Sequence, residues 1–117
     1  MSRAEQDRRI DYIEFESTDM VETKRFYSEN FGWEFTDYGP DYMSFNDGRM
    51  DGGFRAAENV SASGPLIVIY SKNLEEIEAQ VRSNGGKIVR GIFEFPGGRR
   101  FHFADPSGNE LAIWSDQ

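Results

Sequence analysis

The feature that most constrains this chain is that it repeats itself. The stretch YIEFESTDMVETKRFYSENFGWEF, from Tyr12, aligns without a gap on LIVIYSKNLEEIEAQVRSNGGKIV, from Leu66, at an offset of 54 residues. Ile13 falls on Ile67, Phe15 on Ile69, Ser17 on Ser71, Met20 on Leu74, Glu22 on Glu76, Tyr27 on Val81, Asn30 on Asn84 and Gly32 on Gly86. Residue chemistry recurs along with hydropathy. Two copies of one supersecondary unit must satisfy the same pattern of buried faces, so a repeat limits the architecture more than local propensity does.

Each copy opens with a strand. Ile10 to Glu16 alternates apolar with polar residues, whereas Leu66 to Tyr70 is apolar throughout, as in a strand covered on both faces. A helix follows. Asp19 with Glu22, and Asn73 with Glu76, have the spacing of an N-cap and an acceptor three residues on, which predicts helix starts at Met20 and Leu74. The inward stripes run Met20, Thr23, Tyr27, Phe31 and Leu74, Ile77, Val81, and Gly32 and Gly85-Gly86 supply the exits. Three strands then complete each copy. They are WEFTDY, DYMSFN and RMDGGFRA in the first, and KIVRGIFEF, RRFHFA and NELAIWS in the second, separated by turn residues such as Asp47-Gly48 and Pro106-Ser107-Gly108. Gly48 matches Gly108 at an offset of 60, so six residues have been added within the long hairpin of the second copy.

Each copy therefore reads βαβββ. The sequence divides into a first module over 10–57, a polar linker ENVSASG over 58–64 and a second module over 65–117, all one domain, preceded by residues 1–9, expected to be disordered or frayed. With 21 acidic and 13 basic residues the formal charge is −8, which repels a phosphate backbone and argues against nucleic acid as a partner. There is no cysteine, so thiolate sites and disulfides are excluded. MSRAEQDRR lacks the apolar core of a signal peptide and no run approaches a membrane span, so the expectation is a cytoplasmic protein without membrane contact.

Two βαβββ modules, with RFYSENFGWEF closing the first helix and FADPSGNELAIW entering the last strand, resemble the vicinal oxygen chelate superfamily of glyoxalases, bleomycin-resistance proteins and extradiol dioxygenases. The resemblance covers Ile10 to Trp114. It implies an α+β fold in which mixed sheets curl into a cup around a ligand site, with the helices packed outside, and it implies a homodimer. In the metal-dependent members of that superfamily, His or Glu ligands come from the first and last strand of each module. Carried onto this sequence, those positions are Tyr12, Leu66, Gly52 and Ala112, of which three carry no ligating group and the fourth only a phenol, a poor ligand at neutral pH. No metal and no cofactor is therefore expected.

Strand parity, taken without bulges, puts Tyr12, Glu14, Met50, Gly52, Phe54, Leu66, Val68, Tyr70, Glu110, Ala112 and Trp114 on the cup face as candidate ligand-binding residues. Ile13, Phe15, Ile67, Ile69, Leu111 and Ile113 fall on the opposite, helix-covered face. His102, the only histidine, alternates with Phe101 and Phe103 and so faces away from them. The leading reading is a metal-independent protein that binds a small aromatic or otherwise apolar molecule in the cup, with Glu14 or Glu110 meeting a cationic or hydrogen-donating group, as in bleomycin resistance. An alternative is a glyoxalase- or dioxygenase-like lyase, isomerase or oxidoreductase. It would use Glu14, Glu110 and His102 either as a rebuilt metal site or for metal-free acid-base work. A second alternative is a dimeric interaction module with no small ligand.

Overall fold

The computed structural model describes residues 3–60, 64–106 and 108–117. Residues 61–63 of the expected linker and Ser107 of the last turn lie outside the described residues. The fold is α+β, with both modules built as βαβββ: β1 Ile10–Ser17, α1 Met20–Phe31, β2 Glu34–Asp37, β3 Tyr42–Asn46 and β4 Asp51–Ala56, then β5 Leu66–Tyr70, α2 Leu74–Ser83, β6 Lys87–Phe95, β7 Gly98–Ala104 and β8 Glu110–Ser115. Both helices start where their caps place them. Asp19 and Asn73 are in extended backbone conformation, and each accepts from the amide three residues on, Glu22 and Glu76, at 3.1 Å. This satisfies one of the amides that a helix start leaves without a partner. Helix α1 stops at Gly32, whose φ of 72° is left-handed, and whose N–H returns to the Ser28 carbonyl at 3.0 Å. No helix among the described residues is long and apolar enough to cross a membrane.

By packing, the chain divides into two compact units, Tyr12–Leu66 and the segment up to Asp11 together with Ile67–Gln117. In the first, the strands run in the order β2-β3-β4-β1, antiparallel except for the parallel β4·β1 pair. Phe15 is level with Phe54, and Met43 pairs with Phe54 on the neighbouring strand. Met43, Phe45 and Phe54 are buried there, packed with Phe15, with Met20 and Tyr27 of α1, and with Trp33 and Phe35. Burial of a Phe side chain of this kind contributes about 1.5–3 kcal/mol. Phe31, expected to complete the inward stripe of α1, is 62% exposed, because it is the last residue of the helix and lies at the chain's exit through Gly32.

In the second unit the order is β5-β8-β7-β6, with β5·β8 parallel and the rest antiparallel. Leu74, Phe101 and Ile113 are its buried centre, with Ile69, Ile77, Val81, Ile88, Ile92 and Phe103 around them. This is the helix-covered face that the alternation predicts. In the segment before β1, residues 3–6 form a 3-10 turn, Arg8 N–H donates to the Tyr70 carbonyl at 2.7 Å, and Tyr70 N–H donates to that of Arg9 at 3.0 Å. These bonds tie the segment to the last residue of β5.

Strand β6 breaks the alternation twice. Its register against β7 shifts between Ile88 and Arg90, and again between Arg90 and Phe93. Ile88 pairs with Phe103 and Arg90 with His102, then Phe93 pairs with Arg100. Each shift inserts one extra residue and flips the side chains that follow.

Candidate functional site

The candidate residues fall into two hydrogen-bonded groups, one in each unit, both on the sheet face opposite the helix. In the first, Tyr12 and Tyr42 hydroxyls lie 2.6 Å apart, and the Tyr42 hydroxyl donates to Glu14 Oε2 at 3.0 Å. Because Tyr42 gives its proton to Glu14, Tyr12 is the donor to Tyr42, and the three form a chain ending on a buried carboxylate. Burial pushes the Tyr12 phenol up to about 12, and burial together with the Glu14 charge raises that of Tyr42 as well. Both stay protonated at neutral pH.

Register explains how the chain of tyrosines fits. Tyr12 is level with Asp51 and Glu14 with Gly53, so Gly53 lies beneath the two rings, and a methyl group on it would overlap both hydroxyls. Gly52 and Phe54 belong to the other face, which corrects the parity reading. Gly52 is covered by the Phe45 ring and Phe54 is in the core under α1. Met50 precedes β4 and has its amide held by the Asp47 carboxylate at 2.6 Å. Leu66 opens β5 at the boundary between the units.

In the second unit Ala112 is level with Val68 and His102, and Trp114 with Tyr70 and Arg100. His102 Nδ1 is 3.0 Å from Glu110 Oε2, so the structure brings two of the candidate acid-base residues together. Glu14 is engaged by Tyr42 within its own unit. An aromatic row extends from the histidine. Phe93 stacks on His102 at 5.8 Å and 27°, Phe95 lies 6.2 Å from Trp114, and Trp114 meets Tyr70 edge-on at 5.3 Å. Two guanidiniums lie on this row: Arg90 sits 3.6 Å above the Phe93 ring, and Arg100 lies 5.5 Å from Phe93 and 5.7 Å from Phe95. The row is anchored at its far end, where Trp114 Nε1 donates to Asp11 Oδ2 at 3.0 Å and the Tyr70 hydroxyl donates to Asp116 Oδ1 at 2.6 Å. Arg90, Phe93, Phe95 and Arg100 are absent from the parity list. Arg90 reaches this face only through the bulges of β6, whereas Phe93 and Phe95, out of phase with Ile88 and Ile92 of the core, lie on it by simple alternation.

Burial, opposed by the hydrogen bond to Glu110 and reinforced by the charges of Arg100 and Arg90, holds the His102 pKa below its ordinary value. The ring is neutral at pH 7. A carboxylate only accepts, so the imidazole proton lies on Nδ1 and Nε2 carries the lone pair.

The positions that would carry a metal in this architecture do not fit one. The Tyr12 phenol is bound to Tyr42 with its pKa raised, Gly52 faces the core, and Leu66 and Ala112 present hydrocarbon. Among the described residues no three His, Asp or Glu side chains converge to hold an ion. A hollow of about 360 Å³ beside the start of α1 is lined by Thr18, Asp19, Glu22, Thr23, Arg25, Phe26 and Tyr27. Its charged groups are committed to the helix cap and to the Glu22–Arg25 ion pair.

A family model described as Glyoxalase/Bleomycin resistance protein/Dioxygenase superfamily matches residues 9–113. No curated protein sequence matches the chain. Solved structures share its fold at low identity. Methylmalonyl-CoA epimerase from Mycobacterium tuberculosis has a TM-score of 0.75 at 12% identity, covering 91% of this chain and 86% of that one. A superfamily member from Vibrio splendidus has 0.69 at 14%, covering 89% and 96%. The Mn(II)-bound glyoxalase from Novosphingobium aromaticivorans has 0.70 at 22%, covering 92% of this chain but 38% of that longer one. With the repeat, the two βαβββ modules and a match over nearly its whole length, this chain belongs to the glyoxalase/bleomycin resistance protein/dioxygenase superfamily.

Proposed function

We propose that this protein binds a small, flat, electron-rich aromatic molecule without a metal, against the aromatic row on the β5-β8-β7-β6 sheet. The observation that carries the reading is the row itself: Tyr70, Trp114 and Phe95 in ring contact, Phe93 stacked on His102, and the Arg100 guanidinium lying near both Phe93 and Phe95 while Arg90 sits over Phe93. Aromatic faces attract flat apolar ligands, and guanidiniums are attracted to the negative face of an electron-rich ring. Glu14 and Glu110 each already accept a hydrogen bond, from Tyr42 and His102, so this reading assigns the main ligand contact to the aromatic row. Support for a metal-free mode comes from the four corner positions, which do not fit an ion.

The test is a thermal-shift screen of aromatic compounds in the presence of EDTA. Binding to the native state raises its apparent stability, so the wild type is expected to melt higher with indole or naphthol, and Trp114→Ala is expected to lose the shift. Shifts that require added divalent metal, or none with any aromatic compound, would overturn the reading.

A further inference from the structure

We propose that His102 Nε2 is the polar anchor of this site: it accepts a hydrogen bond from an N–H or O–H on the ligand ring, so the row prefers uncharged aromatic molecules that carry such a donor. This rests on the reading that the row binds flat aromatic molecules. Three observations support it. The Nδ1 side of the ring faces Glu110 Oε2 at 3.0 Å, which leaves Nε2 as a bare acceptor. That atom is buried and has no hydrogen-bond partner among the described residues, which is costly for an acceptor inside a protein and is resolved when a donor arrives from outside the chain. The cover over the imidazole is carried by side chains on the terminal strand. Phe93 lies on the ring, Arg90 lies on Phe93, and Arg90 is exposed.

Strand β6 is last in the sheet order and is bulged at Arg90, so these two side chains can swing aside while the ladder stays intact. A donor on the edge of the incoming ring then meets Nε2 in the imidazole plane, with the rest of the ligand against the row. Ala112, level with His102 on the neighbouring strand, adds no bulk beyond a methyl group. The charged groups facing the imidazole are Glu110 from β8, Arg100 from β7 and Arg90 from β6. Burial first, and then the two guanidiniums, disfavour a second proton on the ring, so Nε2 stays an acceptor at neutral pH.

The experiment pairs probes in which a methyl group replaces the donor proton, indole with 1-methylindole and phenol with anisole, and the His102→Phe variant controls for the added methyl. Affinities are measured in EDTA for the wild type and for His102→Phe, which keeps a flat ring beneath Phe93. The expected result is about fivefold to tenfold tighter binding of indole and phenol by the wild type, the worth of one neutral hydrogen bond, with the preference abolished in the variant. Since His102 is the only histidine, nitrogen NMR of the labelled wild type reads the same contact without a substitution. Its Nε2 resonance is expected to move on adding indole and to stay in place with 1-methylindole. Equal binding within each pair, or an Nε2 signal indifferent to indole, would overturn the inference while leaving the aromatic row as a binding surface. Failure of all four probes would overturn both.

Discussion

The histidine and the tyrosines show how one residue's chemistry depends on its neighbours. Tyr42 and His102 occupy matching positions in the repeat, at the offset of 60. Each is held by a glutamate, Tyr42 by Glu14 and His102 by Glu110. Those glutamates do not match one another in the repeat, so each module has arrived at a carboxylate-held polar group by its own route. The Tyr12 phenol, pushed up to about 12, has a raised folded-state value. Its contribution to stability is thus complete below the unfolded value near 10 and is lost as pH rises from there toward 12. Ultraviolet titration is expected to show Tyr12 and Tyr42 ionising above the ordinary tyrosine range, accompanied by a fall in denaturant stability as pH rises from about 10 toward 12. In Tyr42→Phe the Tyr12 signal is expected to change, because its hydrogen-bond acceptor is gone. Stability at pH 7 is expected to drop by about 1–3 kcal/mol as Glu14 loses a donor.

At the level of elements, the helices follow local rules and β6 does not. Caps of the Asx type are legible because they depend on residues three apart, and both start their helices where the spacing says. Asp19→Ala and Asn73→Ala are each expected to lower stability by about 1 kcal/mol in urea unfolding, with m unchanged. The face assignment of strands is legible wherever alternation is unbroken, as along β7 and β8, where Phe101 and Ile113 are core while His102 and Trp114 lie on the other side. It fails at Phe54, because β4 pairs with β1 one residue away from the parity assumed, level with Phe15. It fails more widely in β6. Unbroken alternation would place Arg90 with Ile88 and Ile92 on the core face, and the bulges carry it to the other.

For the molecule as a whole, the lack of ligating groups at the four corner positions predicts indifference to chelators. Dialysis against EDTA is expected to leave the melting temperature unchanged, and added Mn²⁺ or Zn²⁺ at equimolar concentration is expected not to raise it; a metal-dependent rise would show an ion site assembled elsewhere. In a chain of net charge −8, the aromatic row carries charges of both signs, the Arg90 and Arg100 guanidiniums on its rings and Glu110, Asp11 and Asp116 bonded to His102, Trp114 and Tyr70. What the sequence by itself determined is the duplication, the order of elements in both modules, the helix starts and the missing corner ligands. Each of these follows from residue identity over a few positions or from comparing one half with the other. What only the tertiary structure decided is the face that Arg90 of the bulged strand presents, the pairing of His102 with Glu110 and of Glu14 with Tyr42, and the contacts of Phe95 with Trp114, Trp114 with Tyr70 and Phe93 with His102. These depend on strand register and on contacts between residues far apart in the chain, and a shift of a single residue in register reverses the face of every side chain beyond it.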